Sequence, residues 1–388
     1  VHVAHSAAAA FCGIPPVLAK MKYKSPFLLT EHGVYLREQY LSLSNRNYPS
    51  FLNTFMMRFI HSVAGLSYEY ADQVSPVCLY NTRWEMEFGV NPDVIKVIYN
   101  GVDRKVFTPG KTEISNKYPT IVCVARIDPV KDIKMLLLSA ARVVKAVPEA
   151  RFIVYGSVSV PKYFEECLQL RSKLGLDRNF IFAGHTSDVP SAYRSGDIVA
   201  LSSISEAFPY SVVEAMMVGK PVVATDVGGI KEALGDAGIV VKPGDHEGMA
   251  NSIISLIENP DLREIMGTEA RQRALNLFTI ERFISLYLKS YINLAAGQRK
   301  VRFADDRNKR QRLYFERGLA LMEISHFREA VKQFKLAVRQ NYNSPAVPVI
   351  LTAIAQAYNS MGMFNHAFNE LEKAKALAEM FERIEYSA

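Results

Sequence analysis

From position 118 to about 256 the sequence sets short β-branched runs against helix-length amphipathic stretches, six times over. The runs are TIVCVAR (120–126), RFIVYG (151–156), NFIFAG (179–184), DIVALSS (197–203), PVVATDV (221–227) and GIVVKPG (238–244). Each is apolar almost throughout rather than at alternate positions, so each needs cover on both faces. Strands of that kind separated by helices form a parallel sheet between two helical layers. The expected fold is α/β, a doubly wound Rossmann-like domain whose ligands sit at the carboxyl ends of the strands.

The stretch before it, 1 to about 110, reads the same way in shorter form: strands over 27–30, 73–77 and 94–99, and helices near 49–70 and 82–88. That is too little for a whole domain and resembles the second half of a sister domain. After Gly297 the alternation stops. Gly318, Phe327, Ala330, Phe334 and Ala337 recur as Ala355, Phe364, Ala367, Leu371 and Ala374, each 37 positions on. Small residues at fixed offsets let paired helices approach closely while large ones fill the groove, which is the logic of tetratricopeptide repeats. The expected organisation is a partial Rossmann-like domain over 1–110, a complete one over 111–278, a helix returning to the first over 279–297, and helical repeats over 298–388.

A chain of 388 residues with 49% hydrophobic and 22% charged residues can build two or three cores, which excludes disordered and disulfide-stapled classes. No window reaches the ~20 uninterrupted apolar residues of a bilayer span. The first stretch lacks the charged segment and cleavage site of a signal peptide and has no initiator Met, so it reads as the interior of a longer cytoplasmic protein. Cys12, Cys78, Cys123 and Cys167 are widely spaced, as expected of isolated thiols in a reducing compartment. The net charge of +7 is local: residues 298–317 hold eight Lys or Arg against three Asp or Glu, and 11–60 hold six against two. Two basic patches argue against a nucleic-acid binder and leave 298–317 either as a solvated helix face or as a contact for anionic lipid.

Two segments carry chemistry. In Glu206-Ala-Phe-Pro-Tyr-Ser-Val-Val-Glu214, two carboxylates flank a loop-to-helix junction after DIVALSS, with Pro209 expected in the first helical turn. Such a pair can grip sugar hydroxyls, or it can be a cap and a solvated helix carboxylate; spacing does not decide between them. In Arg126-Ile-Asp-Pro-Val-Lys131, a guanidinium and an ammonium at a strand end suit a diphosphate. No cluster has metal-ligand spacing, and neither a nucleophile elbow nor a Walker loop is present.

Together these segments resemble the retaining family 4 glycosyltransferases of the GT-B fold, at ARIDPVKD, E-x7-E, AGHTSDV and VIYNGVD. The resemblance covers about 1–296. LLTEHGVYLRE (28–38), VYG followed by PKYFEEC, and LSSISEAFP are most similar to the subgroup of Pel exopolysaccharide synthesis. It implies transfer of a sugar from a nucleotide donor, expected to be a UDP-sugar, to a glycan acceptor, with retention and with no metal or other cofactor. Carried over by position, Arg126 and Lys131 would bind the diphosphate, Glu214 the ribose, and Glu206 with Phe208 and Pro209 the donor sugar. Gly184 and His185 would lie near the base, and His32 would reach the sugar from across the cleft. Asn100 to Asp103 would mark the domain crossover.

Two departures stand out. Gly156-Ser157-Val158 replaces the family's Gly-Asp-Gly, and the Gly-rich loop of the first N-domain strand is missing. The repeats are expected to bind a protein partner, such as a membrane synthase complex, and no nucleic acid. The competing expectation is an interaction protein that docks its partner through the repeats, with an inactive or regulatory GT-B body; a sugar-nucleotide 2-epimerase of the same fold class is a third.

Overall fold

The computed structural model describes residues 3–295 and 307–385, apart from 45, 47, 111–115, 324, 343 and 345. The chain divides into two compact units, Val1–Gln298 and Arg299–Ala388.

The first unit begins with β1 (Ala4–Ser6), α1 (Ile14–Tyr23), β2 (Phe27–Glu31), α2 (Tyr35–Ser44), α3 (Ser50–Tyr70), β3 (Gln73–Pro76) and α4 (Leu79–Glu87). The strands form a parallel sheet in the order β1-β2-β3, an incomplete Rossmann half. Every residue of β2 is buried, the polar Thr30 and Glu31 along with the apolar Phe27, Leu28 and Leu29. The sequence reading passes over β1, only three residues long, and α1, whose Pro15 and Pro16 stand in the first turn, where no N–H is missed. The strand expected over 94–99 does not form. Pro92 and the Asn91 side chain turn the chain into a short 3-10 segment, Pro92–Val94. Beyond it Lys96 and Ile98 donate to Val74 and Pro76 carbonyls, which leaves one isolated bridge, Ile95 to Val74, in place of a ladder.

The second domain runs β4 (Thr120–Val124), α5 (Ile133–Ala146), β5 (Arg151–Tyr155), α6 (Pro161–Lys173), β6 (Phe180–Gly184), α7 (Val189–Arg194), β7 (Ile198–Leu201), α8 (Tyr210–Val218), β8 (Val222–Thr225), α9 (Ile230–Leu234), β9 (Ile239–Val241), α10 (His246–Glu258) and α11 (Pro260–Leu277). All six strands are parallel, in the order β6-β5-β4-β7-β8-β9. Apolar clusters cover both faces: Ile121, Phe152 and Phe180 with α5 and α10 on one, Leu201, Val222 and Ala224 with α8 and α11 on the other. The chain winds outward from β4 to β6 and then returns to place β7 beside β4, so the crevice of the sheet opens between the ends of β4 and β7.

Two strands of chain cross between the domains side by side. Val102 donates to Phe278 O at 2.8 Å and Ile280 N to Val102 O at 3.1 Å. Gly101 is needed there, because a Cβ would stand 2.7 Å from Ile280 Cα. Past this crossing α12 (Ile280–Ala295) lies on the first domain, where Tyr287 joins Leu28 and Ile98 in a small core and Ser290 Oγ accepts from Gln73 and Lys96. The architecture is GT-B: two Rossmann-like domains, the first incomplete, with an all-α extension.

The second unit is α13 (Arg307–Glu323), α14 (Phe327–Gln340), α15 (Val347–Ser360) and α16 (Phe364–Glu385). A Cβ on Gly318 would fall 2.2 Å from the Phe334 ring, so the small residue does admit the large one. Ala330, Phe334 and Ala337 are fully enclosed, whereas Leu371, the repeat-mate of Phe334, is 46% exposed on the last helix. Of the basic run 298–317, positions 298–306 lie outside the described residues and the remainder opens α13.

Candidate active site

The loops after β4 and β7 meet at the crevice. After β4, the Asp128 side chain accepts from Val130 N at 3.0 Å and starts a 3-10 turn, Pro129–Lys131. Asp132, in the left-handed region at φ +43°, then caps α5 by accepting from Met135 N at 3.2 Å. Lys131 is thus fixed between two aspartate-capped turns. Its Nζ lies 2.5 Å from Glu206 Oε1, which also accepts from Ser203 Oγ at 2.6 Å. The backbones are tied as well, Ile204 N to Val130 O and Ser202 Oγ to Lys131 O, both at 2.8 Å. Side-chain exposure is only 17% for Lys131 and 11% for Glu206, so the pair is held in a low-dielectric wall of the crevice.

Pro209 takes the N-cap position of α8 rather than its first turn, which still leaves Glu206 before the helix and Glu214 in its second turn. Phe208 is buried against the Tyr99 and Phe278 rings, centroids 5.4 and 5.3 Å away, so its side chain belongs to the domain junction. Glu214 Oε2 accepts from the buried Tyr193 hydroxyl at 2.8 Å. Burial raises the Glu214 carboxyl above its ordinary value, and the Tyr193 bond opposes this. Gly228 and Gly229 press on the same loop: a Cβ on Gly228 would sit 1.9 Å from Glu206 O, and Gly229 N donates to Ala207 O at 2.7 Å.

Arg126 is exposed, and its one polar contact among the described residues is Nη1 to Ser159 Oγ at 3.5 Å. The loop replacing Gly-Asp-Gly stays paired to it, through Ile127 N to Ser157 O and Ser159 N to Ile127 O. Gly156 allows the close approach, since a Cβ would meet Ala125 O at 1.9 Å. Gly184, at φ +76°, ends β6, and His185 stands exposed beyond it without a bond to the carboxylates. These two mark the sheet's far edge rather than the Lys131–Glu206 cluster.

The first domain supplies the facing wall. His32 is exposed at the end of β2. Partial burial and the neighbouring His32 charge lower His5 from the ordinary imidazole value. His5 lies 2.8 Å from both Thr30 Oγ1 and Tyr291 Oη, and Thr30 lies 2.7 Å from Tyr287 Oη. Glu31, beside His32, is 1% exposed; Tyr68 Oη donates to both its oxygens at 3.1 and 3.2 Å, and burial still pushes it up to about 8. From α2, Arg37 Nη1 and Nη2 each approach Ser205 Oγ at 3.4 Å. From α9, Glu232 accepts from the first two amides of α4, Leu79 at 2.7 Å and Tyr80 at 3.0 Å, and from Tyr99 Oη at 2.7 Å.

The structure therefore joins Lys131, Glu206 and, through the adjoining helix, Glu214, places Arg126 free at the same strand end, and sets His32 on the opposite domain. Sequence reasoning passes over Ser203, Tyr193, Gly228, Gly229, Arg37 and Glu232. The Gly-Gly pair was a readable signal of close backbone approach; the others depend on partners far away in the chain. Among the described residues no three His, Cys, Asp or Glu side chains gather as metal ligands would, and no helix is long and apolar enough to cross a membrane.

Residues 105–273, which frame this crevice, match the family model "Glycosyl transferases group 1". Over this stretch, less than half of its length, the chain is similar to the group 1 glycosyltransferases. Residues 1–93 match a domain of unknown function, DUF3492. Among curated relatives, N-acetyl-alpha-D-glucosaminyl L-malate synthase of Bacillus anthracis is 28% identical over 209 residues, 52% of this chain and 54% of the relative. D-inositol 3-phosphate glycosyltransferase of Corynebacterium efficiens is 29% identical over 222 residues, 52% of each. The chain spans about half the length of these relatives. Among solved structures, Anabaena Alr3699/HepE in complex with UDP aligns with a TM-score of 0.63 and 25% identity, over 72% of this chain and 76% of that one. Lys131, Glu206 and Glu214 all fall within the stretch that matches this family model.

Proposed function

We propose that this chain is a retaining hexosyltransferase of family 4 that moves a sugar from a UDP-sugar to a glycan acceptor in bacterial exopolysaccharide synthesis, in the manner of the Pel subgroup. The observation that carries the reading is the enclosed Lys131–Glu206 pair at the switch point, with Arg126 uncommitted beside it. Lys131 and Arg126 bind the diphosphate, Glu206 with the Phe208 and Pro209 backbone binds the donor sugar, Glu214 the ribose, and Gly184 and His185 border the base. His32 meets the sugar from the facing wall. The Anabaena relative in complex with UDP supports uridine as the base.

In the reaction the bond from C1 to the diphosphate oxygen breaks and its electron pair stays with the phosphate. The acceptor hydroxyl oxygen bonds C1 on the face just vacated and passes its proton to that phosphate oxygen. No strong protein base is needed. Lys131 and Arg126 stabilise the negative charge as it develops, in a setting already organised for it. No metal is required. The helical unit, read as a tetratricopeptide-like pair of repeats, docks a protein of a membrane synthase complex at the cytoplasmic face.

Calorimetric titration of UDP-, GDP- and ADP-sugars tests the donor site. Binding confined to UDP-sugars and weakened in Lys131→Ala supports it; no binding of any of them removes it.

A further inference from the structure

Arg37 is a cation with an unspent hydrogen-bonding fork. Among the described residues its guanidinium pairs with no carboxylate and has only the two long contacts to Ser205 Oγ. A guanidinium presents five N–H donors in a plane, and one hydroxyl at 3.4 Å leaves most of them unmet. The group is nevertheless held in place. Its carbon lies 5.6 Å from the Trp84 ring centroid, and Trp84 stacks on Phe88 at 6.4 Å. The helix carrying Trp84 is capped by Glu232 from the other domain, so this platform is fixed relative to the crevice it faces.

Ser205 immediately precedes Glu206. Arg37 therefore reaches the loop assigned to the donor sugar, and not the β4 loop with Arg126 and Lys131. Vicinal hydroxyls on a sugar ring match a planar fork, as a carboxylate does. We propose that Arg37 leaves Ser205 and donates to hydroxyl oxygens of the donor's glycosyl residue, making the N-domain wall a specificity-determining half of the sugar subsite, with Trp84 as its positioning residue. This rests on the nucleotide-sugar reading above.

The test titrates the full chain with UDP and with the tightest-binding UDP-sugar of UDP-glucose, UDP-galactose and UDP-N-acetylglucosamine. In Arg37→Ala the UDP-sugar affinity falls about tenfold, the scale of one charge-assisted hydrogen bond, while UDP affinity stays within about twofold. Arg37→Gln, a replacement should the alanine variant fail to fold, shows the same split. Trp84 is the chain's single tryptophan, and the Arg37 and Arg83 guanidinium groups lie 5.6 and 5.2 Å from its ring, so the part of its emission change that is lost in Arg37→Ala reports on Arg37. Emission shifts with the UDP-sugar and is nearly still with UDP. Equal losses for UDP and UDP-sugar would make Arg37 a phosphate ligand and overturn the proposal, as would unchanged affinity for both. Failure of the unaltered chain to bind UDP or any UDP-sugar would instead remove the nucleotide-sugar reading beneath it.

Discussion

Lys131 Nζ and Glu206 Oε1, 75 positions apart in the chain, lie 2.5 Å apart where the sheet reverses its winding. Neither charge faces the other alone: Ser203 shares the carboxylate, and Ser202 anchors the Lys131 carbonyl. Removing the lysine would remove the proposed phosphate ligand and also strand an enclosed carboxylate. Lys131→Ala is expected to weaken UDP binding by about 1.5–3 kcal/mol and to lower Tm, whereas Arg126→Ala, exposed and uncommitted, weakens UDP binding on a similar scale without the stability loss. Calorimetry with thermal melts separates the two, and unchanged UDP affinity in both variants rejects the phosphate site.

The two glutamates of the E-x7-E segment should divide their effects. Glu214→Gln weakens nucleotide binding with little further change in turnover, because ribose contacts are alike in ground and transition states. Glu206→Gln mainly lowers kcat, because sugar contacts tighten as positive charge develops at C1. Steady-state kinetics with the preferred UDP-sugar decides, and equal kcat losses at constant KM would contradict the division.

Glu31 gives stability a pH dependence of definite sign. Its folded-state value near 8 lies above the ordinary 4.5, so the folded protein binds the extra proton. The contribution is complete below about 4.5 and is lost as pH rises through about 8. Glu31→Gln should flatten this slope and gain stability relative to the unaltered chain at pH 9 but not at pH 4; denaturant titrations across that range measure it, and parallel curves would refute it.

Transfer activity is expected to survive EDTA, since the charges assigned to the diphosphate are Arg126 and Lys131. Complete loss, restored by Mg²⁺ or Mn²⁺, would show that the phosphate site has been misassigned.

In the helical unit, Gly318→Val places a branched side chain where even one Cβ would meet the enclosed Phe334 ring at 2.2 Å. Overpacking is expected to destabilise this unit by about 1–3 kcal/mol and to leave UDP affinity unchanged, because all the proposed donor contacts lie in the first unit. A melt in which Gly318→Val is neutral would mean that α13 and α14 separate readily.

What the sequence made legible follows the range of the forces involved. The six strands of the second domain appear within three residues of their expected bounds, because burial on both faces imprints each one locally. Glu206 and Glu214 were legible because a single loop and helix present both. The strand expected over 94–99 was misread because apolar content outweighed Pro92 and Asn91, whose turn chemistry wins. Arg37 and Glu232 left no local trace: their partners are 168 and 153 positions away, and only the closed fold brings them together.

The Glu232 clasp turns α4 into a strut. Its first turn is fastened to the second domain, while Phe88, just past its last turn, lodges against Tyr40 and His61 of the first. Prising the domains apart would strip two helix-end amides and a tyrosine hydroxyl from one carboxylate, so wide breathing of the cleft is costly even with no ligand bound. One carboxylate thus ties the two domains together across the cleft.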